Sequence, residues 1–186
     1  MKKAILLFFL LGIIFSCKEK NSQTKEIFSQ TLEFTDYYNR TVKVKHNPQT
    51  VVSLSPGITE ILFDLGVGNK IIGRTKFCNY PPQALEIPSI GGITDASLEQ
   101  IISLQPQIVI TSSMVRKDMV ESIEKAGINI ICLPERSNVE GVFNTLEILG
   151  KIFSKEEIAD SLINNMKEEL NDIKTTYHNT SNKPGI

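Results

Sequence analysis

Few residues of this chain could do covalent or metal chemistry, and their spacing argues against most of it. The three cysteines, Cys17, Cys78 and Cys132, lie far apart, and the only histidines are His46 and His178. A zinc site or redox pair needs ligands at short intervals, and a reactive thiolate needs a basic neighbour. Neither Cys78 nor Cys132 has one, and Cys132 sits in an apolar run as a small hydrophobe. Ser53 and Ser55 lack the G-x-S-x-G elbow and a nearby histidine, so no hydrolase site is built on them. Gly66-Val67-Gly68 is a fragment of a phosphate loop. It follows a helix rather than a strand and lacks the third glycine, so it reads as a helix C-cap and turn. Lys plus Arg number 20 against 21 Asp plus Glu, a net charge of -1. That balance gives no electrostatic reason to coat nucleic acid. The chemistry left is non-covalent: holding a ligand or a partner.

The amino terminus is set apart from the fold. Lys2 and Lys3 precede an apolar run from Ala4 to Phe15, shorter than the roughly 20 residues that span a bilayer, so residues 1–16 read as a secretory signal. Ser16-Cys17 at its exit resembles the lipidation site of bacterial lipoproteins. By that resemblance Cys17 is lipidated and becomes the first mature residue; the other reading is an ordinary cleaved signal with an incidental cysteine. Residues 17–30, including Lys18 to Lys25, are polar and aperiodic, a flexible tether.

The elements that must position a ligand site alternate between strand and helix. Thr31 to Thr35 and Arg40 to Val44 alternate apolar and polar about Asp36-Tyr37-Tyr38-Asn39, a β-hairpin in which Asn39 suits positive φ. Val51 to Leu54 is a buried strand; Ser55 as N-cap and Pro56 at the first position then open a helix with Ile58, Ile61, Leu62 and Leu65 on one face, stopped by Gly66. Lys70 to Gly73 is a strand, Phe77 to Pro82 a loop in which two prolines exclude helix, and Ile90 to Ile93 a second loop. Ser97-Leu98-Glu99-Gln100 is a capping box, with Leu98, Ile101 and Ile102 turned inward and Pro106 as breaker. Ile108 to Ile110 and Ile128 to Leu133 are strands, separated by a polar helix from Arg116 to Lys125. Ser137 to Glu140 is a capping box for a helix ending near Gly150, and Ser154 with Glu157 caps a last helix over 155–178, about 36 Å long. Its stripe is Ile158, Leu162, Met166, Leu170, Ile173 and Tyr177. The expected fold is α/β: a Rossmann-like lobe (31–152) whose parallel sheet carries helices on both faces, preceded by the hairpin and followed by one long α-helix (153–178).

Such sheets bind ligands outside the carboxyl ends of their strands. That rule gathers Ser55, Pro56, Gly57, Phe77, Tyr80, Gly92, Ile93, Ser112 and Ser113 as candidate ligand-binding residues. Phe77 and Tyr80 could form a flat apolar wall for a ring-rich ligand, or could simply cover the sheet edge. Glu99, second in its helix, is accounted for locally by the helix dipole.

From Asn47 to about Lys174 the chain resembles the helical-backbone receptors that serve ABC importers of cobalamin, ferric siderophores and haem. The resemblance is carried by Pro48 to Pro56, Thr59 to Gly66, Asn79-Tyr80-Pro81-Pro82, Gly91-Gly92 and Ser97 to Pro106, in this order and spacing. Thr50, Asn39 and Gln107 depart from it, standing where the family often has Arg, Gly and Asp. The resemblance implies two α/β lobes joined by a long helix, with ligand between them and a glutamate on each lobe docking onto the membrane permease. Glu99 is the counterpart of the first-lobe glutamate, and Tyr80 of a cleft aromatic.

The resemblance covers the first lobe and the joining helix. Residues 179–186 read as the approach to a further strand, so the chain is expected to be a truncated frame or fragment, the alternative being a true single-lobe relative. The expected function is an envelope lipoprotein, lipid-anchored on the extracytoplasmic side, that delivers a metal chelate (cobalamin or an iron–siderophore) to an ABC permease. It needs no cofactor, binds no nucleic acid and does no catalysis. The rival readings are an envelope adaptor for a protein partner and a nucleotide-binding or enzymatic α/β domain.

Overall fold

A computed structural model describes residues 31–134 and 138–179. Strands β1 (Thr31–Thr35) and β2 (Thr41–Lys45) form an antiparallel hairpin, turned at Asn39 with φ of 56°. Then follow β3 (Val51–Ser53), α1 (Pro56–Asp64), β4 (Ile71–Arg74), α2 (Leu98–Leu104), β5 (Ile108–Ser112), α3 (Lys117–Lys125), β6 (Ile130–Leu133), α4 (Val139–Phe153) and α5 (Glu156–Asn179). The four strands after the hairpin pair in parallel in the order β4-β3-β5-β6. Every residue of β3, β5 and β6 is buried, as expected for a sheet covered on both faces.

Alternation along the strands divides the core. Val51, Ile108, Ile110 and Ile131 pack with Ile58, Leu62 and Leu65 of α1, Leu146 and Leu149 of α4, and Ala159 and Ile163 of α5. Val52, Leu54, Val109 and Ile130 face the other way, onto Ile101 of α2 and Val120 and Ile123 of α3. The hairpin covers the β6 edge, which would otherwise offer unpaired backbone groups. The Tyr37 amide donates to the Cys132 carbonyl at 2.8 Å, and the Arg40 guanidinium, paired with buried Asp36, donates to the Ile130 carbonyl at 3.3 Å. Among the described residues no helix is long and apolar enough to cross a membrane.

Several local expectations are corrected. Pro82 does not end regular structure but starts a 3-10 turn, Pro82–Glu86, because a first-turn residue needs no amide proton. Ser97 accepts from the Gln100 amide, yet its own amide goes to the Ile90 carbonyl, so only half of that capping box forms. Ile102 is 42% exposed rather than inward, since the face that meets the core carries buried Ile101 with Leu98 and Leu104 packed beside it. The cap of α4 is Asn138, which accepts from the Gly141 amide at 3.0 Å. Gly150 does not stop α4: a Cβ there would come within 2.9 Å of the Ala159 Cβ, so its lack of a side chain lets α5 approach. The helix runs on to bury Ile152 and Phe153, and Ser154 ends it with φ of 56° instead of capping the next one. In α5 Ala159 and Ile163 are buried, Leu162 and Met166 of the expected stripe pack half-buried against the core, and Ile158 is 37% exposed, so the packed face is wider than the stripe and centred nearer Ala159 and Ile163. Thr50 and Gln107, both departures from the family pattern, face each other: the Gln107 amide donates to Thr50 Oγ1 at 3.0 Å.

Candidate functional site

The carboxyl ends of β3, β5 and β6 open into a cavity of about 190 Å³. Ser55, Gly57, Ser112 and Thr145 supply its polar rim, and Ile61, Leu133, Pro134 and Val142 are among its apolar walls. The sheet fixes the first three because parallel strands all exit at the same end, and α1 and α4 begin beside that exit. Pro56 stands at the first position of α1 and is half-buried, next to the cavity but not lining it.

The turn into α1 is locked from beneath. Thr59 N–H donates to the Ser55 carbonyl at 3.0 Å and the Ser53 hydroxyl donates to it at 3.2 Å. The Thr59 hydroxyl bridges both residues, 2.8 Å from Ser53 Oγ and 3.0 Å from the Ser55 carbonyl oxygen. Ser53 and Thr59 are fully buried, so Ser53 is structural and not a nucleophile. Ser112 Oγ accepts a long 3.5 Å bond from the Met114 amide, and the Thr145 hydroxyl donates to the Gly141 carbonyl at 2.9 Å.

The second group of candidates lies on two loops tied to each other. The Lys76 amide donates to the Gly91 carbonyl at 2.7 Å, joining the Phe77–Tyr80 loop to the Gly91–Ile93 loop. Gly92 is buried and Ile93 half-buried. Phe77 and Tyr80 are 51% and 62% exposed, and Lys76 Nζ sits 5.2 Å from the Phe77 ring centroid. These four residues and half-buried Ser113 do not line the cavity. The aromatics therefore do not cover the sheet edge with their faces buried; they stand in solvent.

Arg74 was not legible as a site residue, although an arginine at the end of an apolar strand is a signal. It is 7% exposed and donates to the carbonyls of Ala84 (2.6 Å), Thr75 (3.0 Å) and Leu85 (3.3 Å). It thereby clamps both ends of the segment that carries Phe77 and Tyr80. Glu99 is exposed in the first turn of α2, away from the cavity lining. Cys17 lies outside the described residues.

Among the described residues no acid–base pair lines the cavity, and no group of three or more His, Cys, Asp or Glu could hold a metal. Burial, aided by the Asp36 charge, pushes the Cys132 thiol up to about 12, which removes it as a nucleophile.

The family model described as periplasmic binding protein matches residues 51–186. An uncharacterized ABC transporter substrate-binding lipoprotein of Bacillus subtilis is 31% identical over 158 residues, covering 83% of this chain and 49% of the relative. A vitamin B12-binding protein of Vibrio campbellii is 31% identical over 137 residues, 73% of this chain and 49% of that protein. The crystal structure of a periplasmic heme-binding protein from Pseudomonas aeruginosa superposes with a TM-score of 0.65 at 22% identity, over 67% of this chain and 45% of the other. The chain thus spans about half the length of the curated relatives it matches.

Proposed function

This chain belongs to the periplasmic binding protein family, and from that premise we propose that it is the first lobe of the substrate-binding component of an ABC importer for a metal chelate, a cobalamin or an iron–siderophore. The observation that carries this reading is the strand-end cavity, with an exposed aromatic loop following β4 at the same end of the parallel sheet and no catalytic pair among the described lining residues. Exposed aromatic faces gain by covering a large, flat, apolar ligand. The vitamin B12-binding relative supports a corrinoid. The ligand is held between this lobe and the remainder of the whole protein, whose relatives are about twice as long. Cys17 carries the lipid that keeps the protein on the extracytoplasmic side of a membrane; the relative named a lipoprotein supports this. Neither catalysis nor a cofactor of its own is required.

The test is calorimetric titration of the full-length protein with cyanocobalamin, haem and a ferric catecholate siderophore. Submicromolar affinity for one of them is expected, and failure of all three overturns the chelate reading. Capture of a soluble envelope protein instead of any chelate would favour the adaptor.

Glu99 is the permease contact on this lobe. Its exposure leaves it little to do in the fold, while a rim charge governs association. Glu99→Ala should leave chelate affinity and melting temperature unchanged and lower transport in permease-containing vesicles by about tenfold. Unchanged transport removes Glu99 from docking.

A further inference from the structure

We propose that the cavity at the start of α1 is a socket for a compact anionic oxygen group, a carboxylate or phosphate, that projects from the bound chelate. The proposal rests on the ligand-binding reading above and deepens it.

The argument starts from a cap that is not used. Ser55 occupies the N-cap position of α1 with extended backbone (φ −140°, ψ 134°), yet its hydroxyl makes no capping bond. Ser97 and Asn138, at the equivalent positions of α2 and α4, both accept from their helices. Ser55 is 6% exposed, lines the cavity, and its hydroxyl has no hydrogen-bond partner among the described residues. Its carbonyl is engaged by Ser53 and Thr59, which fixes the backbone that carries the idle hydroxyl.

Three further donors are free at the same place. The amides of Gly57 and Ile58 donate to no carbonyl or side chain among the described residues, and Pro56 has no amide proton to compete. The Ser112 hydroxyl, in a residue 5% exposed, accepts from Met114 and keeps its own proton to give. The Thr145 hydroxyl is spent on Gly141. The cavity thus offers two hydroxyls and two amides at the positive end of a helix, with no carboxylate among the described residues of its lining. A group that only accepts, and carries negative charge, satisfies all four; a neutral amide would set its own donors against them.

Size settles that a group enters and not the whole ligand. At about 190 Å³ the cavity is below the roughly 300–1,000 Å³ of sites that enclose a drug-sized molecule. The apolar walls of Ile61 and Val142 suit the short alkyl arm that links such a group to a ring.

The experiment titrates the full-length protein with two matched pairs: haem against haem dimethyl ester, which lacks free carboxylates, and dicyanocobinamide phosphate against dicyanocobinamide, which lacks only the phosphate. At least one parent should bind about tenfold or more tighter than its partner, the pair that discriminates identifying carboxylate or phosphate. Ser55→Ala should shrink that ratio severalfold, and Ser55→Thr, which keeps the hydroxyl, should retain it. Equal binding of both members of each pair by the unaltered protein overturns the socket and leaves the chelate reading standing. Binding of none overturns the socket, and the chelate reading falls with it only if the ferric catecholate siderophore also fails to bind. The comparison within the unaltered protein decides the matter even if Ser55→Ala fails to fold.

Discussion

Two consecutive helices, α4 and α5, are separated only by Ser154 and Lys155, and both are amphipathic, yet they live in different surroundings. α4 buries side chains from its second turn to its last: Thr145, Leu146, Leu149, Ile152 and Phe153. α5 buries only Ala159 and Ile163, near its start; beyond them Ile173 is 64% exposed. The difference teaches that an apolar period declares a helix and says nothing of what covers it. α4 is held by the sheet, and the first turns of α5 are held by α4. The later turns of α5 carry apolar side chains that no core cluster includes.

The largest expected effect comes from the covered helix. Leu149 is fully exposed to neighbours and not at all to solvent, at 0%. Leu149→Ala should cost about 2–5 kcal/mol in denaturant unfolding, the transfer term plus the cavity. A loss below about 1 kcal/mol would mean that α4 is no better anchored than the free part of α5, and the contrast would collapse.

A smaller effect tests the seam between the two helices. Gly150→Leu would drive a side chain into Ala159, whose Cβ is already 2.9 Å from where a Cβ would stand. Overpacking of this kind costs about 1–3 kcal/mol. The double variant that also carries Ala159→Gly should recover part of the loss, because the two sites share one contact. Absence of any recovery would show that the seam is not set by this pair.

That seam also marks where the sequence stopped being legible. Gly150 reads as a helix stop by its type alone, and only the approach of Ala159 reveals it as a packing position. The same limit shifted the cap from Ser137 to Asn138 and hid Ala159 and Ile163, which are buried beside Leu162 and Met166 of the stripe: local patterns tolerate a slip of one residue, and burial decides it. The strand–helix order, both faces of the sheet, the hairpin with Asn39 at its turn, and the length of α5 were all readable, since each repeats a period over many residues. The candidate site was readable in one part. Ser55, Gly57 and Ser112 come together because parallel strands end together. The walls from α4 were not, because nothing local in Val142 or Thr145 says which end of the sheet their helix meets. Arg74 was missed for a related reason: its partners are backbone carbonyls ten residues on, which carry no side-chain signature.

The smallest expected effect is the sharpest test of the contrast. Ile173 is a large apolar residue in a regular helix, and type alone would rank it with Leu149. Its exposure of 64% means that its surface stays mostly in water in this chain, so removing it forfeits little transfer energy. Serine and isoleucine rank together as helix formers, so propensity adds almost nothing at one exposed site. Ile173→Ser should therefore change the unfolding free energy by less than about 0.5 kcal/mol. Hydrogen exchange should agree: amides near Leu149 exchange only with global unfolding, whereas those around Ile173 open locally and exchange faster by orders of magnitude, because few buried contacts oppose their fraying. A loss of more than about 1 kcal/mol on Ile173→Ser, together with slow exchange there, would mean that the far end of α5 is covered after all, and that the two helices are equal parts of one core.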